Sequence, residues 1–299
     1  MLEYHELSDN LDFEYKLQNG YDKKVDTYLE FEGEFRKVKK ILSIFVLIVT
    51  MASILAGCGG DEKASGEGGM KLADEGKFTF ASSGEFKPFS VTDGEGKMTG
   101  FDIDVAEAVA KELGLEPNQK KFKFASIVEG VKTGRFDAAV ASHTINDDRL
   151  KHVDFSTPYY YSGPQIFVRP DSDLETLKDL EGKEIAVSKG STYADTAEKV
   201  TDNIVLYDSD VTALEALANG RHDAVITDFI TGKEAIGANL KIEGKELLGR
   251  SEQGIAVAKE NNELLKKINA ALETLRENGT LKKISEKYFG EDITADPEK

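Results

Sequence analysis

The chain has 299 residues, 40% of them hydrophobic, so it is long enough to bury the cores of two ordinary domains. Its 55 acidic residues outnumber its 38 basic residues, and the net charge of −17 argues against nucleic acid as the partner. A single cysteine, Cys58, excludes an internal disulfide, and the four histidines lack metal-ligand spacing. We therefore expect neither a metal ion nor a cofactor.

The segment that ends at Cys58 predicts an export signal. Four basic residues within Arg36–Lys40 precede an uncharged apolar run over Ile41–Leu55. As a helix this run would reach ~22 Å, short of the ~30 Å hydrocarbon core, so a permanent transmembrane anchor is the weaker interpretation. The tetrapeptide Leu-Ala-Gly-Cys at its end resembles a bacterial lipobox, which implies a signal peptide over 36–57 and diacylation of Cys58. The alternative is an ordinary signal peptide with an incidental cysteine.

The regions on either side of this signal have no pattern typical of folded elements. Residues 1–35 are polar and lie upstream of the export signal, so we expect them to be absent from the mature protein. Residues 58–70 are rich in Gly, Ser and charged side chains, which is the composition of a flexible tether. The sequence therefore predicts a domain tethered by lipid to the outer face of the cytoplasmic membrane.

From Lys77 onward, short apolar runs alternate with helical patterns, and this alternation predicts an α/β fold. The first run, Phe78–Ala81, precedes an amphipathic helix over Asp102–Leu113. Further strands are predicted at Ala138–Ala141, Glu184–Val187, Ile204–Leu206 and Ala224–Thr227. Further helices are predicted at Ile127–Lys132, Tyr193–Lys199, Val211–Ala218, Glu263–Glu277 and Leu281–Tyr288.

A weak internal repeat relates two of these helix–strand units. The stretch Val128–Val140 resembles Leu214–Ile226, 86 residues further on, and both contain Gly-Arg-x-Asp-Ala. In each copy a helix ends at a glycine suited to a left-handed cap, and a turn leads into a buried strand. Such joints recur in any α/β protein, but the shared motif favours two lobes built alike.

Polar residues follow each repeated strand, at the edge where open α/β sheets bind ligands. The first strand is followed by Ser142, Thr144 and Arg149, and the second by Thr227 and Asp228. A guanidinium from one lobe and a carboxylate from the other would complement the two charges of a free amino acid.

A third loop could also bind the ligand carboxylate, and each of these polar residues also has a purely structural alternative. The loop Gly190-Ser191-Thr192 opens a helix, and its amides and hydroxyls could bind a carboxylate. The hydroxyls could equally be helix caps, Asp228 could cap the helix that follows it, and Arg149 could form a surface ion pair.

Several segments in a fixed order carry a resemblance to a known family. They are Phe86–Phe89, Met98–Val105, the loop of Arg149, Asp154–Tyr160 and Leu275–Leu281. From Lys77 to Gly290 the chain resembles the family 3 solute-binding proteins of polar amino acid ABC importers. The resemblance implies a periplasmic-binding-protein-like type II α/β fold with two lobes and a two-crossing hinge.

The resemblance also implies roles for individual residues. Arg149 would pair with the α-carboxylate of a free amino acid, and Asp228 would hold its α-ammonium. Phe86 and Phe124 would wall the pocket, although both could be ordinary core residues. The predicted ligand-binding set is Ser83, Phe86, Phe124, Ser142, Thr144, Arg149, Ser191, Thr192, Thr227 and Asp228. No catalytic residue is expected.

Two positions depart from the family pattern. Relatives that take glutamine or basic amino acids commonly carry an acidic residue where this chain has Ser83, which puts a cationic ligand in doubt. Glu85 could partly replace that residue. His143 replaces a small apolar residue and is expected to pack behind the cleft. A polar or cystine-like amino acid is the expected ligand.

The family's architecture predicts the lobe boundaries. Lobe I would comprise 71–168 and 256–299, lobe II would comprise 169–255, and the hinge would lie at Ile166–Arg169 and Gly254–Val257, where short β segments could rotate. The implied partners of the monomer are a permease and, through it, an ATPase. Rival interpretations are an enzyme resembling cyclohexadienyl dehydratases or lytic transglycosylases, and a sensor domain.

Overall fold

The computed structural model describes residues 69–298. The predicted export signal, Cys58 and residues 1–35 lie outside the described residues, as does most of the predicted tether. Within residues 69–298, no helix is long and apolar enough to cross a membrane. The same residues contain no group of three or more His, Cys, Asp or Glu side chains that could hold a metal ion.

The strands of the described region are mostly short. In chain order they are β1 (Lys77–Ser82), β2 (Glu85–Phe86), β3 (Ser90–Thr92), β4 (Met98–Thr99), β5 (Glu116–Lys121), β6 (Ala138–Ala139), β7 (Val153–Phe155), β8 (Tyr160–Ser162), β9 (Pro164–Val168), β10 (Ile185–Ser188), β11 (Ile204–Tyr207), β12 (Ala224–Asp228), β13 (Glu243–Leu247), β14 (Ser251–Gln253) and β15 (Ala256–Ala258).

Helices connect these strands and close the chain. They are α1 (Phe101–Glu112), α2 (Phe124–Lys132), α3 (Asp147–Leu150), α4 (Thr192–Ala197), α5 (Asp210–Ala218), α6 (Phe229–Gly237), α7 (Asn262–Glu277) and α8 (Thr280–Phe289), with a 3-10 turn at Leu177–Leu180. Every predicted strand and helix is confirmed, with bounds that differ by up to three residues.

Two five-stranded sheets define two lobes with the same strand arrangement. The first sheet has the order β5-β1-β6-β15-β7 and the second the order β11-β10-β12-β9-β13. In both sheets, the first three strands run parallel to one another. The fourth strand runs antiparallel to the third, and the fifth runs antiparallel to the fourth. The sequence repeat spans matching positions, since its first copy runs through β6 of the first sheet and its second copy runs into β12 of the second sheet.

The repeated turns have the same hydrogen bonds in both lobes. Gly134 and Gly220 adopt left-handed φ values of 73° and 78°, as a helix end capped by glycine requires. The carboxylate of Asp137 accepts from the N–H of Thr79 at 2.6 Å, and that of Asp223 accepts from the N–H of Glu184 at 2.9 Å. The shared aspartate therefore fixes the helix–strand joint to the neighbouring strand.

Aromatic side chains fill the core of the first lobe. Phe89, Phe101 and Tyr160 are fully buried, and Phe89 stacks on Tyr160 with ring centroids 5.0 Å apart. Phe289 of α8 packs against Phe101 at 5.2 Å, which joins the C-terminal helix to this cluster. Burial of each ring stabilises the fold by about 1.5–3 kcal/mol, so the last helix is held to the first lobe by apolar contact.

The crossing between the lobes lies earlier in the chain than expected. β9 is paired on both sides, with β12 and β13, so it belongs to the second sheet, whereas the predicted boundary after Val168 placed it in lobe I. β15 is likewise paired on both sides in the first sheet. The predicted hinge segments Ile166–Arg169 and Gly254–Val257 therefore include residues held firmly within one lobe or the other. The antiparallel pair β8 and β14 spans the crossing instead.

Candidate functional site

A narrow cleft lies between the two lobes. Its walls are mostly polar or aromatic. The first lobe contributes Ser83, Glu85, Phe86, Phe124, Ser142, Thr144 and Arg149, and the second contributes Ser188, Ser191, Thr192, Tyr193, Asp208 and Asp210. Most of these residues follow the carboxyl end of a strand, because parallel strands direct their following loops to one edge of the sheet.

Arg149 provides a positive charge in the cleft. Asn146 caps α3 by accepting from the backbone N–H of Arg149 at 2.8 Å, which fixes where the side chain begins. The guanidinium donates through Nη1 to the carbonyl of Thr144 at 2.8 Å and through Nη2 to the carbonyl of Gly190 in the opposite lobe at 3.2 Å. Burial lowers its pKa to about 10, so it stays charged at neutral pH. Its remaining N–H groups are available to a carboxylate.

Ser142 adopts a left-handed backbone conformation that its neighbours stabilise. Its φ is 58°, which is unusual for a residue with a Cβ. Its hydroxyl donates to Asp102 at 2.8 Å, and its N–H donates to the hydroxyl of Tyr159 at 2.9 Å. Tyr159 in turn donates to Asp102 at 2.7 Å. Burial raises the pKa of Asp102 to about 7, and this buried network fixes the loop that lines the cleft.

The aromatic walls of the cleft are supported from behind. Phe124 stacks on His143 with centroids 4.4 Å apart, and the guanidinium of Arg149 lies 5.7 Å from the Phe124 ring centre. His143 is buried, and burial lowers its pKa well below the usual value, so its ring is neutral. Phe86 stacks on the core residue Phe89 at 4.9 Å. His143 therefore packs behind the cleft, as expected.

Thr227 and Asp228 are the two members of the predicted set that do not line the cleft. The hydroxyl of Thr227 donates to Asp210 at 2.6 Å. One oxygen of Asp228 accepts from the N–H of Ile230 at 2.8 Å, so this carboxylate caps α6. Burial raises the pKa of Asp228 to about 7. For Asp228, the capping alternative is therefore present in the structure.

The structure adds residues that the sequence reasoning did not assign to the site. Ser188 ends β10, Asp208 and Asp210 follow β11, and Tyr193 comes directly after Thr192. The rule that ligands collect beyond strand ends would have found the first three, had it been applied to every predicted strand rather than to the repeated pair alone.

Comparison with known proteins identifies the family. Residues 78–291 match the model of the bacterial extracellular solute-binding proteins, family 3. The chain belongs to this family. The predicted resemblance and the predicted two-lobed type II fold are thus confirmed.

Named relatives and solved structures show what this family 3 protein is similar to. It is 34% identical to the L-cystine-binding protein TcyJ of Escherichia coli (strain K12) over 231 residues, which is 75% of this chain and 86% of the relative. An ancestral arginine-binding protein bound to arginine matches with TM-score 0.68 and 38% identity over 72% of this chain and 99% of that one. An ancestral amino acid-binding protein described as a precursor of cyclohexadienyl dehydratase matches with TM-score 0.67 and 32% identity, over 72% of this chain and 96% of that one.

Proposed function

We propose that this family 3 protein captures a free amino acid between its lobes and delivers it to the permease of an ABC importer. The observation that carries the proposal is the half-buried guanidinium of Arg149, which lies at the edge of one lobe and contacts the other. A carboxylate is the ligand group that best complements a guanidinium with free N–H donors. The similarity to cystine-binding and arginine-binding proteins supports the same ligand class.

The mechanism follows from contacts that require both lobes. The ligand carboxylate accepts from Arg149 and from hydroxyls such as those of Thr144 and Thr192, which belong to different lobes. A ligand that contacts both lobes binds the closed form more tightly than the open form, so it shifts the population toward closure. The permease recognises that closed form, and its ATPase drives import. In this scheme the protein acts as a monomer and needs no cofactor.

Charge balance along the cleft favours a polar or cystine-like side chain on the ligand. The acidic residues at the rim are already paired, Glu85 with Lys121 at 2.9 Å and Asp208 with Lys123 at 3.2 Å. A purely cationic side chain would have to compete with these lysines for the same carboxylates.

A thermal-shift screen tests the proposed function. The purified mature chain is heated with each of the twenty amino acids, with L-cystine and with a blank. A ligand at 100 times its dissociation constant stabilises the folded state by ~2.7 kcal/mol, a rise in Tm of roughly 5–10 °C for a domain of this size. At least one strong hit is expected, and no hit across the panel would overturn the proposal.

An enzyme of the cyclohexadienyl dehydratase type is the second candidate function, because a dehydratase precursor shares this fold. The two functions differ in what happens to the ligand. A binding protein releases its ligand unaltered, so the bound compound is recovered from the unfolded protein and identified by mass spectrometry. Recovery of a dehydrated product would favour the enzyme.

We further propose that lipid on Cys58 holds the protein at the outer face of the cytoplasmic membrane. The lipobox-like Leu-Ala-Gly-Cys after an apolar run supports this. Two acyl chains anchor a protein stably, whereas one gives only marginal binding.

Cys58→Ser should therefore move the protein from the membrane fraction to the soluble fraction. Membrane and soluble fractions are compared by immunoblot, with Ser65→Ala as a control in the same predicted tether. Continued membrane association of Cys58→Ser would contradict the lipid anchor.

A further inference from the structure

Helix α6 belongs to the second lobe but also packs against the first. Gly232 lies directly against Phe167 of β9, since a Cβ added there would come within 1.8 Å of the phenylalanine ring. This close contact fixes α6 to its own sheet. In the first turn of the same helix, Ile230 is buried within the hydrophobic core of the first lobe, and Phe229 packs against that core. α6 therefore moves with the second lobe while its first turn contacts the first.

Two consecutive residues of α6 form ion pairs with the first lobe. Lys233 pairs with Glu291, which follows α8, at 2.9 Å. Glu234 pairs with Lys87, which follows β2, at 3.1 Å. Neighbouring residues of a helix point roughly 100° apart, so the two pairs hold different sides of α6. A rotation of one lobe against the other changes the distance within each pair, because each pair joins a residue of one moving body to a residue of the other.

The same helix begins beside the predicted ligand site. Asp228, to which the family resemblance assigns the ligand α-ammonium, ends β12 and caps α6 through Oδ1. Its Oδ2 is buried and has no hydrogen-bond partner within residues 69–298. The end of β12 and the two ion pairs thus belong to one continuous segment, which connects the cleft edge of the second lobe to the surface of the first.

The exposure of these ion pairs indicates how large their effect should be. Their side chains are between 39% and 68% exposed. Exposed pairs contribute little to stability, because water screens the charges and the long side chains lose freedom. The apparent dissociation constant nevertheless depends on the fraction of molecules in the binding-competent form. Even a small contribution to closure therefore changes the dissociation constant measurably.

We propose that Lys233 and Glu234 determine part of the ligand affinity from outside the cleft, because their ion pairs with Glu291 and Lys87 stabilise the closed form. None of these four residues lines the cleft. The inference rests on the proposed function, since it names residues that set the affinity of that same site. α6 sets how readily the lobes close around a ligand, and the cleft residues set which ligand they accept.

The experiment reverses one charge of each pair and then restores the pair with the opposite polarity. Lys233→Glu places two carboxylates together at Glu291, and Lys87→Glu does the same at Glu234. The double variants Lys233→Glu with Glu291→Lys, and Lys87→Glu with Glu234→Lys, bring opposite charges together again. Calorimetry and stopped-flow fluorescence with L-cystine and L-arginine give the dissociation constants and rates. The strongest hit of the amino acid screen replaces these probes if neither binds.

Lys259→Glu is the matched control. Lys259 pairs with Asp154 at 3.2 Å, with side chains 45% and 31% exposed, but both residues belong to the first lobe. The variant therefore makes the same change in net charge and breaks a similar pair without changing a contact between the lobes. Thermal unfolding without amino acid shows whether each variant is folded.

Each reversal should raise the dissociation constant of the amino acid that binds wild type by about two- to fivefold, chiefly through faster dissociation. The control should stay within about 1.5-fold of wild type. Each double variant should recover most of the lost affinity. The effect of the reversals should fade at ~1 M salt, where the Debye length is ~3 Å.

Reversal variants that bind as wild type does, or that lose no more affinity than Lys259→Glu, would overturn the inference. Double variants that fail to recover affinity would likewise show that these ion pairs are not the cause. Failure of wild type to bind any amino acid of the screen would instead refute the proposed function, and this inference with it.

Discussion

At the scale of single residues, the site is built from half-buried or buried charges whose partners lie in different parts of the chain. Arg149 contacts backbone carbonyls of both lobes, which leaves donors free for a ligand. Asp102 accepts from Ser142 and Tyr159 and fixes a backbone conformation that serine seldom adopts. Both side chains are costly to bury without partners, so a change at either has consequences that can be measured.

Arg149→Ala should weaken amino acid binding by ~3–5 kcal/mol, because the ligand carboxylate would be desolvated without its cation. Arg149→Lys should recover part of this loss, since a lysine keeps the charge but not the planar fork of donors. Arg276→Ala is the control, because Arg276 bonds to the carbonyl of Pro158 away from the cleft. Calorimetry with the strongest hit of the screen measures all three, and near-unchanged affinity of Arg149→Ala would refute its role.

Asp102→Asn should flatten the dependence of stability on pH between about pH 4 and 7. Burial raises the pKa of Asp102 to about 7, whereas an unfolded chain gives ~3.9. The folded state thus binds this proton more tightly, and the free energy of unfolding falls as pH rises through that window, by up to ~1.4 kcal/mol per pH unit. Urea unfolding of both proteins from pH 4 to 8 measures the difference. Parallel curves would show that Asp102 does not titrate in this way.

At the scale of elements, two copies of one helix–turn–strand unit position the cleft. Each copy ends its helix at a left-handed glycine and uses the following aspartate to hold the neighbouring strand. The edge strands β5 and β13, in contrast to the buried strands of the repeated units, are polar and largely exposed to solvent. They are strands because backbone hydrogen bonds join them to β1 and β9, and Pro117 is tolerated in β5 because that strand is an edge.

Gly220→Ala should destabilise the protein by about 1–2 kcal/mol. The φ of 78° is unfavourable for a residue with a Cβ, while the position is otherwise open, with nothing within 4 Å of an added methyl group. Gly237→Ala is the matched control, because it lies in α6 without a positive φ and is equally open. The control should be neutral or stabilising by up to ~1 kcal/mol. Urea unfolding separates the two, and equal effects would contradict the capping role of Gly220.

At the scale of the whole molecule, contacts at the cleft rim join the lobes. The hydroxyl of Ser209 in the second lobe donates to the carbonyl of Glu85 in the first at 2.9 Å, and Lys123 pairs with Asp208 across the same rim at 3.2 Å. The side chains of this ion pair are 76% and 62% exposed, so its contribution is at most ~1 kcal/mol. Such contacts stabilise the closed arrangement without determining which ligand is bound.

Lys123→Glu should raise the dissociation constant of the bound amino acid by about two- to fivefold, chiefly through faster dissociation, because like charges would then face each other across the rim. The double swap Lys123→Glu with Asp208→Lys should restore binding. The effect of the single variant should fade at ~1 M salt, where the Debye length is ~3 Å. Stopped-flow fluorescence measures both rates, and a swap that fails to restore binding would show that this ion pair is not the cause.

The sequence by itself determined the family, the α/β alternation and most of the cleft. The buried strands and amphipathic helices are recognised by apolar patterns among residues that are close together in the sequence. The loop of Arg149 is likewise a local sequence motif. Only the tertiary structure decided where the lobes cross, because β8 and β14 are short and meet across about 90 residues of chain. It also placed one oxygen of Asp228 on the N–H of Ile230 at the start of α6. Whether a side chain at a strand end enters the cleft or caps a helix depends on the backbone direction there, which packing of the whole lobe sets.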